Sequence, residues 1–375
     1  MQKPELGRTC PKPVIGLCVA SLLLMLLPFF ARAQGLPRFV LDRDWPQLPI
    51  SNTGEFWLTG GLGGMCMDAR DHVFLLNRQD VDPEDLDAAL LAPPILEMDA
   101  SGQVINAWGD LDLIGERLHD CHVDMEGNIW IVAAGTGVLQ KYSLQGELLL
   151  QIGESGKYDS SDGTRQGQAL NSDTAQFFLP SSIDSDAQTG NLYVADGELP
   201  GGNARVAVLN PEGEFLFQWQ LRREPGEENL TALLHCLRIS ADGYVYACDR
   251  QADRIQVFDR RGNFVRYINN DFEVKSSPEN RLSGERGTAV VLAFSNDPQQ
   301  EYMYVINQNS MQIDIFNRLS GQKLGSFGEG PGTYPGQFIL PHSIAVDSQG
   351  NIIIAEQAGK RVQKFLKSQL DLAQD

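Results

Sequence analysis

Six stretches of this chain share one design, in which a first apolar run meets a polar turn and is followed by a second apolar run. The C-terminal copy, Phe327 to Phe365, is the clearest. After a Gly/Pro-rich approach it carries Ile344 and Val346, the turn Asp347-Ser348-Gln349-Gly350-Asn351, the run Ile352 to Ala355, and a third strand from Arg361 to Phe365. Sliding it back along the chain finds Met65-Cys66-Met67-Asp68, Cys121-His122-Val123-Asp124, Ile183-Asp184-Ser185-Asp186, Leu237-Arg238-Ile239-Ser240 and Leu292-Ala293-Phe294-Ser295, each with its second run. The last residues of successive quartets are 56, 62, 54, 55 and 52 positions apart. Short alternating strands at such a period predict an all-β, six-bladed β-propeller of four-stranded blades.

The sixth unit is one strand short, since only Lys367 to Asp375 follows its third strand. Phe39-Val40-Leu41-Asp42, near the other end, is the expected donor of the missing outer strand. Pairing there would close the ring and remove an exposed edge.

Basic residues (Lys3, Arg8, Lys12), an apolar run from Val14 to Phe30 and Ala31-Arg32-Ala33 predict a secretory signal peptide over residues 1–33. The competing reading is an uncleaved anchor, because the run is nearly long enough to span a bilayer. With cleavage, residues 34–375 form a single propeller domain, secreted or periplasmic and monomeric, with no membrane partner. The net charge of −19 becomes −22 when four basic residues and one acidic residue leave with the peptide. That acidity excludes nucleic acid as a partner. Four cysteines remain, Cys66, Cys121, Cys236 and Cys248. Cys236 and Cys248 are equidistant from the turn at Asp242, which suits either a cross-strand disulfide or two buried thiols. Cys66 and Cys121 could pair only if neighbouring blades bring them together. Asn229-Leu230-Thr231 is a glycosylation sequon.

Of the five histidines, three fall at one repeat position, the start of a blade's first strand: His119, His235 and His342. They belong to blades two, four and six. First strands line a propeller's channel, so alternate blades would aim three imidazoles at one axis from a third of a turn apart. A single histidine at a strand start is usually a hydrogen-bonded surface residue; three in phase predict a metal site with an open fourth position, the arrangement of catalytic zinc. His72 and His122 are out of phase. The loops joining second to third strands open on the same face, and they carry Arg78, Glu198 and Arg250. Each alone reads as a solvated loop charge, but two guanidiniums beside a metal would grip a substrate carboxylate. The insertions 79–94, 154–178 and 270–287 would wall that face.

The repeat unit resembles the NHL type, and residues 39–366 resemble peptidyl-α-hydroxyglycine α-amidating lyase. The resemblance is carried by Asp44-Trp45-Pro46, the Arg78 loop, His119, His235, His342, Asp249-Arg250 and Leu340-Pro341-His342. It implies a six-bladed propeller with zinc on the three histidines, with Arg78 and Arg250 as active-site arginines. The implied reaction splits a peptidyl-α-hydroxyglycine into a peptide amide and glyoxylate. Glu198 stands where the family has its catalytic tyrosine, and would serve as base if burial raised its pKa. Leu340 stands where the family has a methionine. Ser343 replaces the family's calcium carboxylate, which weakens a calcium site whose carbonyl ligands would map to Met65 and Cys121. The expectation is therefore a zinc-dependent carbon–nitrogen lyase acting on a small-molecule or peptide substrate with a carboxylate. The alternatives are a non-catalytic propeller binding a peptide, glycan or protein, and a zinc hydrolase on the same scaffold.

Overall fold

The computed structural model describes residues 36–47, 54, 56–227, 232–270 and 287–368. The expected signal peptide, the sequon and most of the 270–287 insertion lie outside them. Six four-stranded antiparallel sheets follow one another along the chain. Their innermost strands are Leu62–Met67, Leu118–Val123, Pro180–Ser185, Leu234–Ile239, Leu292–Phe294 and Pro341–Val346. In the sixth sheet Arg38–Leu41 pairs antiparallel with Val362–Ser368, placing Val40 opposite Leu366.

The second strands read as unbroken apolar runs because both of their faces are buried between blades. In Val73–Asn77, Leu75 packs with Ile353 and Ala355 of blade six, whereas Phe74 and Leu76 pack with Ile129 and Ile131 of blade two. In Ile129–Ala133, Trp130 and Val132 turn the other way, onto Ile183 and Val194 of blade three. Alternation along each strand thus feeds two neighbouring cores in turn. Each fully buried aliphatic or aromatic side chain contributes about 1.5–3 kcal/mol, so a blade is stable chiefly through its neighbours.

In blades one, three and four the second strand ends on its site face in a residue that pins the following loop. The Asn77 carboxamide accepts from Gly60 N at 2.8 Å and donates to Ala92 O at 2.9 Å. Asp196 is held by Arg205 and Asn203, at 3.0 and 2.7 Å, with all three fully buried. Asp249 accepts from Arg223, Gln256 and Arg254 at 2.6, 2.9 and 3.2 Å. Arg78, Glu198 and Arg250 follow these anchors by one or two residues.

Two disulfides are present. Cys236–Cys248 lies within blade four, where the two residues are direct register partners. Cys66–Cys121 joins the innermost strands of blades one and two. No helix among the described residues is long and apolar enough to cross a membrane.

Because Cys66–Cys121 spans 55 positions of sequence, it closes a long loop in the unfolded chain. The paired substitution Cys66→Ser/Cys121→Ser should lower unfolding free energy by roughly 2–4 kcal/mol. Urea denaturation of the oxidised proteins measures the difference directly.

Candidate metal centre

Five of the six innermost strands begin with an irregularity. In blades one, two, three, four and six the ladder skips one residue, at Gly63, His119, Ser181, His235 and His342. A bulge frees a residue from the pleat and re-aims its side chain. In the even blades the freed residue is a histidine.

The structure brings the three imidazoles together. Ring centroids are 4.8, 4.9 and 5.0 Å apart, the rings are inclined at 68–72° to one another, and all three residues are buried. Each ring is fixed by the following odd blade. His119 Nδ1 donates to Ser181 O at 2.6 Å, His235 Nδ1 to Val290 O at 2.8 Å and His342 Nδ1 to Gly63 O at 2.9 Å. A carbonyl can only accept, so the proton sits on Nδ1 and a neutral ring turns its Nε2 lone pair inward. One ligand nitrogen from each ring lies within 4.8 Å of the others. Burial, then the charges of neighbouring groups, hold His235 and His342 well below the usual histidine range. Arg78 and Arg250 are among those neighbours.

Nε2 of His119 and of His235 is buried without a hydrogen-bond partner. A buried acceptor left unpaired costs about 1–3 kcal/mol, and two facing one axis fit a cation. The donor set of three buried imidazoles with locked outer nitrogens suits zinc.

Arg78 Nε donates to Leu118 O at 2.9 Å while its Nη2 is buried and unpartnered. Burial, reinforced by the charge of Arg117, lowers its pKa to about 10. Gly63 makes this possible, because a Cβ there would collide with the Leu118 carbonyl oxygen and Arg78 Nε. Arg250 Nη2 donates to Gln308 Oε1 at 2.8 Å, and Gln308 Nε2 donates to Pro341 O at 2.8 Å, beside His342.

Glu198 departs from expectation. It is 2 % exposed, and burial alone would raise its pKa, but His119 and Arg117 outweigh burial and hold the carboxyl well below the usual range. Its Oε1 lies 2.7 Å from Arg117 Nη2 and 3.2 Å from His119 Nε2. A carboxyl held that low is a poor general base, so the expectation of a raised pKa is corrected.

Sequence reasoning missed Arg117 and Gln308, and both had a signal. Gln308 follows Asn307 as Arg78 follows Asn77 and Arg250 follows Asp249. Arg117 stands two residues before His119, the position Leu340 holds before His342 and Leu179 before Ser181. All three take a left-handed conformation, φ 54°, 51° and 64°.

Below the rings, Ser182, Ser343 and Asp120 help line a cavity of about 10 Å³. Asp120 accepts from Ser182 Oγ at 2.6 Å and from both terminal nitrogens of Arg238 at 2.9 and 3.1 Å. Ser343 Oγ donates to Met65 O at 3.3 Å. Residue 343 brings no carboxylate and Asp120 already pairs with the Arg238 guanidinium, so the residues lining this cavity supply no unpaired carboxylate for calcium. His72 and His122 lie outside the ring, bonded to Glu97 and Ser185.

The fold and site define a six-bladed propeller with a buried axial triad of histidines. No family model matches the sequence. The chain is similar to NHL repeat-containing protein 3 of Homo sapiens, 27 % identical over 87 % of this chain and 83 % of that protein. It is also similar to peptidyl-alpha-hydroxyglycine alpha-amidating lyase 1 of Drosophila melanogaster, 24 % identical over 72 % of this chain and 48 % of that one. The peptidyl-glycine alpha-amidating monooxygenase B of Xenopus laevis is 24 % identical over 88 % of this chain, which spans only 36 % of it. Among solved structures, virginiamycin B lyase from Staphylococcus aureus shares the fold, with TM-score 0.52, 11 % identity and 90 % coverage of both chains. NHL-repeat proteins and amidating lyases are thus relatives of this chain at low identity.

Since His235 and His342 fold neutral while unfolded histidine titrates near 6.5, the unfolded state takes up protons that the native rings refuse. Stability from these rings is therefore complete above pH 6.5 and lost as pH falls. Each contributes a slope of about 1.4 kcal/mol per pH unit below that value. Urea midpoints of metal-free protein at pH 7.5 and 5.5 should show the loss, and His235→Gln should reduce the slope.

Proposed function

We propose that this chain is a secreted, zinc-dependent carbon–nitrogen lyase of the amidating-lyase type. On this reading it releases glyoxylate and a peptide amide from a peptidyl-α-hydroxyglycine. The observation that carries the reading is the triad of buried imidazoles, with two unpartnered Nε2 atoms and an unpartnered arginine nitrogen beside them. Secretion is supported by the two disulfides, which persist in oxidising compartments.

His119, His235 and His342 would hold zinc, which when bound polarises and acidifies a substrate hydroxyl. Arg78 has a free Nη2 and a fixed Nε, so it can donate to a carboxylate without first breaking a bond. Arg250, oriented by Gln308, supplies a second guanidinium. Together they would hold the α-carboxylate and fix the α-carbon relative to the rings, which is the orientation that collapse of a hydroxyglycine needs. In that collapse the hydroxyl loses its proton, the C–N bond breaks, and the departing amide nitrogen gains a proton. Glu198 is not assigned the base role.

Purified protein should bind about one equivalent of zinc, and His235→Ala should abolish the binding. Glyoxylate should form from an α-hydroxyglycine peptide, and Arg78→Ala should raise KM about 10–100-fold, the loss expected for one charge-assisted hydrogen bond of roughly 1.5–3 kcal/mol. Stoichiometric zinc without glyoxylate release would remove the lyase assignment and leave the metal centre.

A further inference from the structure

The far ends of the innermost strands carry a second group of side chains, on the face of the propeller opposite the histidine triad. His122 stands near the end of Leu118–Val123, and Asp184 and Ser185 close Pro180–Ser185 in the neighbouring blade. His122 Nε2 is 2.7 Å from Ser185 Oγ, and its Nδ1 is 3.3 Å from Asp184 Oδ1. An ionised carboxylate only accepts, so Asp184 favours the ring proton on Nδ1, and Nε2 then accepts from the Ser185 hydroxyl. A hydroxyl, a base within its reach and a carboxylate on the base's other nitrogen are the parts of a serine nucleophile.

The group is both fixed and reachable. Asp184 Oδ1 accepts from Ser185 N and Oδ2 from Ile239 N of blade four, each at 2.8 Å, so the carboxylate is pinned from two blades and all three residues sit on strands. The side chains of His122 and Asp184 are 22 % and 14 % exposed, and Ser185 is half-buried. Ser185 lines a cavity of about 320 Å³ walled by Met125, Trp130, Leu192 and Pro211, with Lys141 on the same wall. His122 and Asp184 line the far mouth of the channel, a cavity of about 240 Å³. An apolar group can thus lie on one side of the constellation while water reaches it from the other.

We propose that Ser185 and His122, with Asp184 positioning the base, form a second catalytic site that cleaves carboxylic esters of a small apolar acid. It is independent of any cation at the three buried imidazoles. Ser185 Oγ bonds to the ester carbonyl carbon as its proton passes to His122 Nε2. The bond to the alcohol oxygen then breaks, and His122 gives that proton to the leaving alkoxide. Water attacks the acyl-serine while losing a proton to His122; the carboxylic acid leaves and the proton returns to Ser185 Oγ. Asp184 stays ionised and stabilises the transient imidazolium. Lys141, the cation on the cavity wall, is already paired with Asp124 and Glu126 at 2.9 and 2.8 Å. One missing oxyanion donor slows such chemistry by about 10²–10³, so the covalent serine adduct is the state to look for, ahead of fast turnover.

The probes are a fluorophosphonate, which bonds covalently to activated serines, and p-nitrophenyl butyrate, each incubated with the purified protein and followed by peptide mass spectrometry. Both should leave an adduct on Ser185, and Ser185→Ala should abolish it. His122→Gln, which can still hydrogen-bond the hydroxyl but cannot take its proton, should slow fluorophosphonate labelling at least 100-fold, within the range for loss of a general base. Asp184→Asn should slow it at least tenfold. Circular dichroism should be unchanged in all three variants, and His235→Ala should label at the wild-type rate, which separates this site from the imidazole centre. An unlabelled Ser185 in wild-type protein overturns the proposal, as does an adduct that forms equally fast in His122→Gln.

Discussion

The hydrogen bond from each imidazole Nδ1 to a carbonyl of the next blade is the contact on which the site depends. It links strand pairs that are far apart in sequence, 62 residues for His119 and Ser181, 55 for His235 and Val290 and 279 for His342 and Gly63. None can form until the blades have closed around the axis. Their geometry in turn fixes the ring tautomers and sends three lone pairs inward. Packing between blades is thus converted, through three bonds, into a preorganised donor set.

The odd blades matter as much as the even ones. Gly63 and Ser181 occupy the bulge positions that histidine fills elsewhere, and they contribute carbonyls rather than side chains. At Gly63 a larger residue would strike both the Leu118 carbonyl and Arg78. Ser181 spends its hydroxyl on Leu234 O at 2.6 Å, which ties blade three to blade four beneath His235. Blades one and three therefore carry a small residue where the even blades carry an imidazole, and in blade five the carbonyl comes from Val290.

Much of this was legible in the residues. The period gave the blade count, the phase of His119, His235 and His342 gave the triad, and the loop position of Arg78 and Arg250 put them at its mouth. What was hidden depended on contacts between blades. Arg117 and Glu198 are 81 residues apart and meet only when blades two and three stand side by side. Cys66–Cys121 is likewise an inter-blade contact, whereas Cys236 and Cys248 face each other across one hairpin and could be placed from the turn alone. The direction of the Glu198 shift also could not be read from sequence. Burial, which the sequence suggested, raises a carboxyl, and the outcome was decided by Arg117 and His119, which only the fold supplies.

Beneath the rings, Arg238 from blade four reaches Asp120 of blade two, and Ser182 of blade three joins the same carboxylate. Three blades are cross-braced there by a largely buried ion pair. Such a pair adds little net stability over apolar packing, yet removing one partner strands the other charge at a cost of about 3–5 kcal/mol. Asp120 is also the residue after His119, so the brace fixes the strand that presents the first imidazole. The three imidazoles above thus stand on a ring in which blades two, three and four are bonded through one carboxylate.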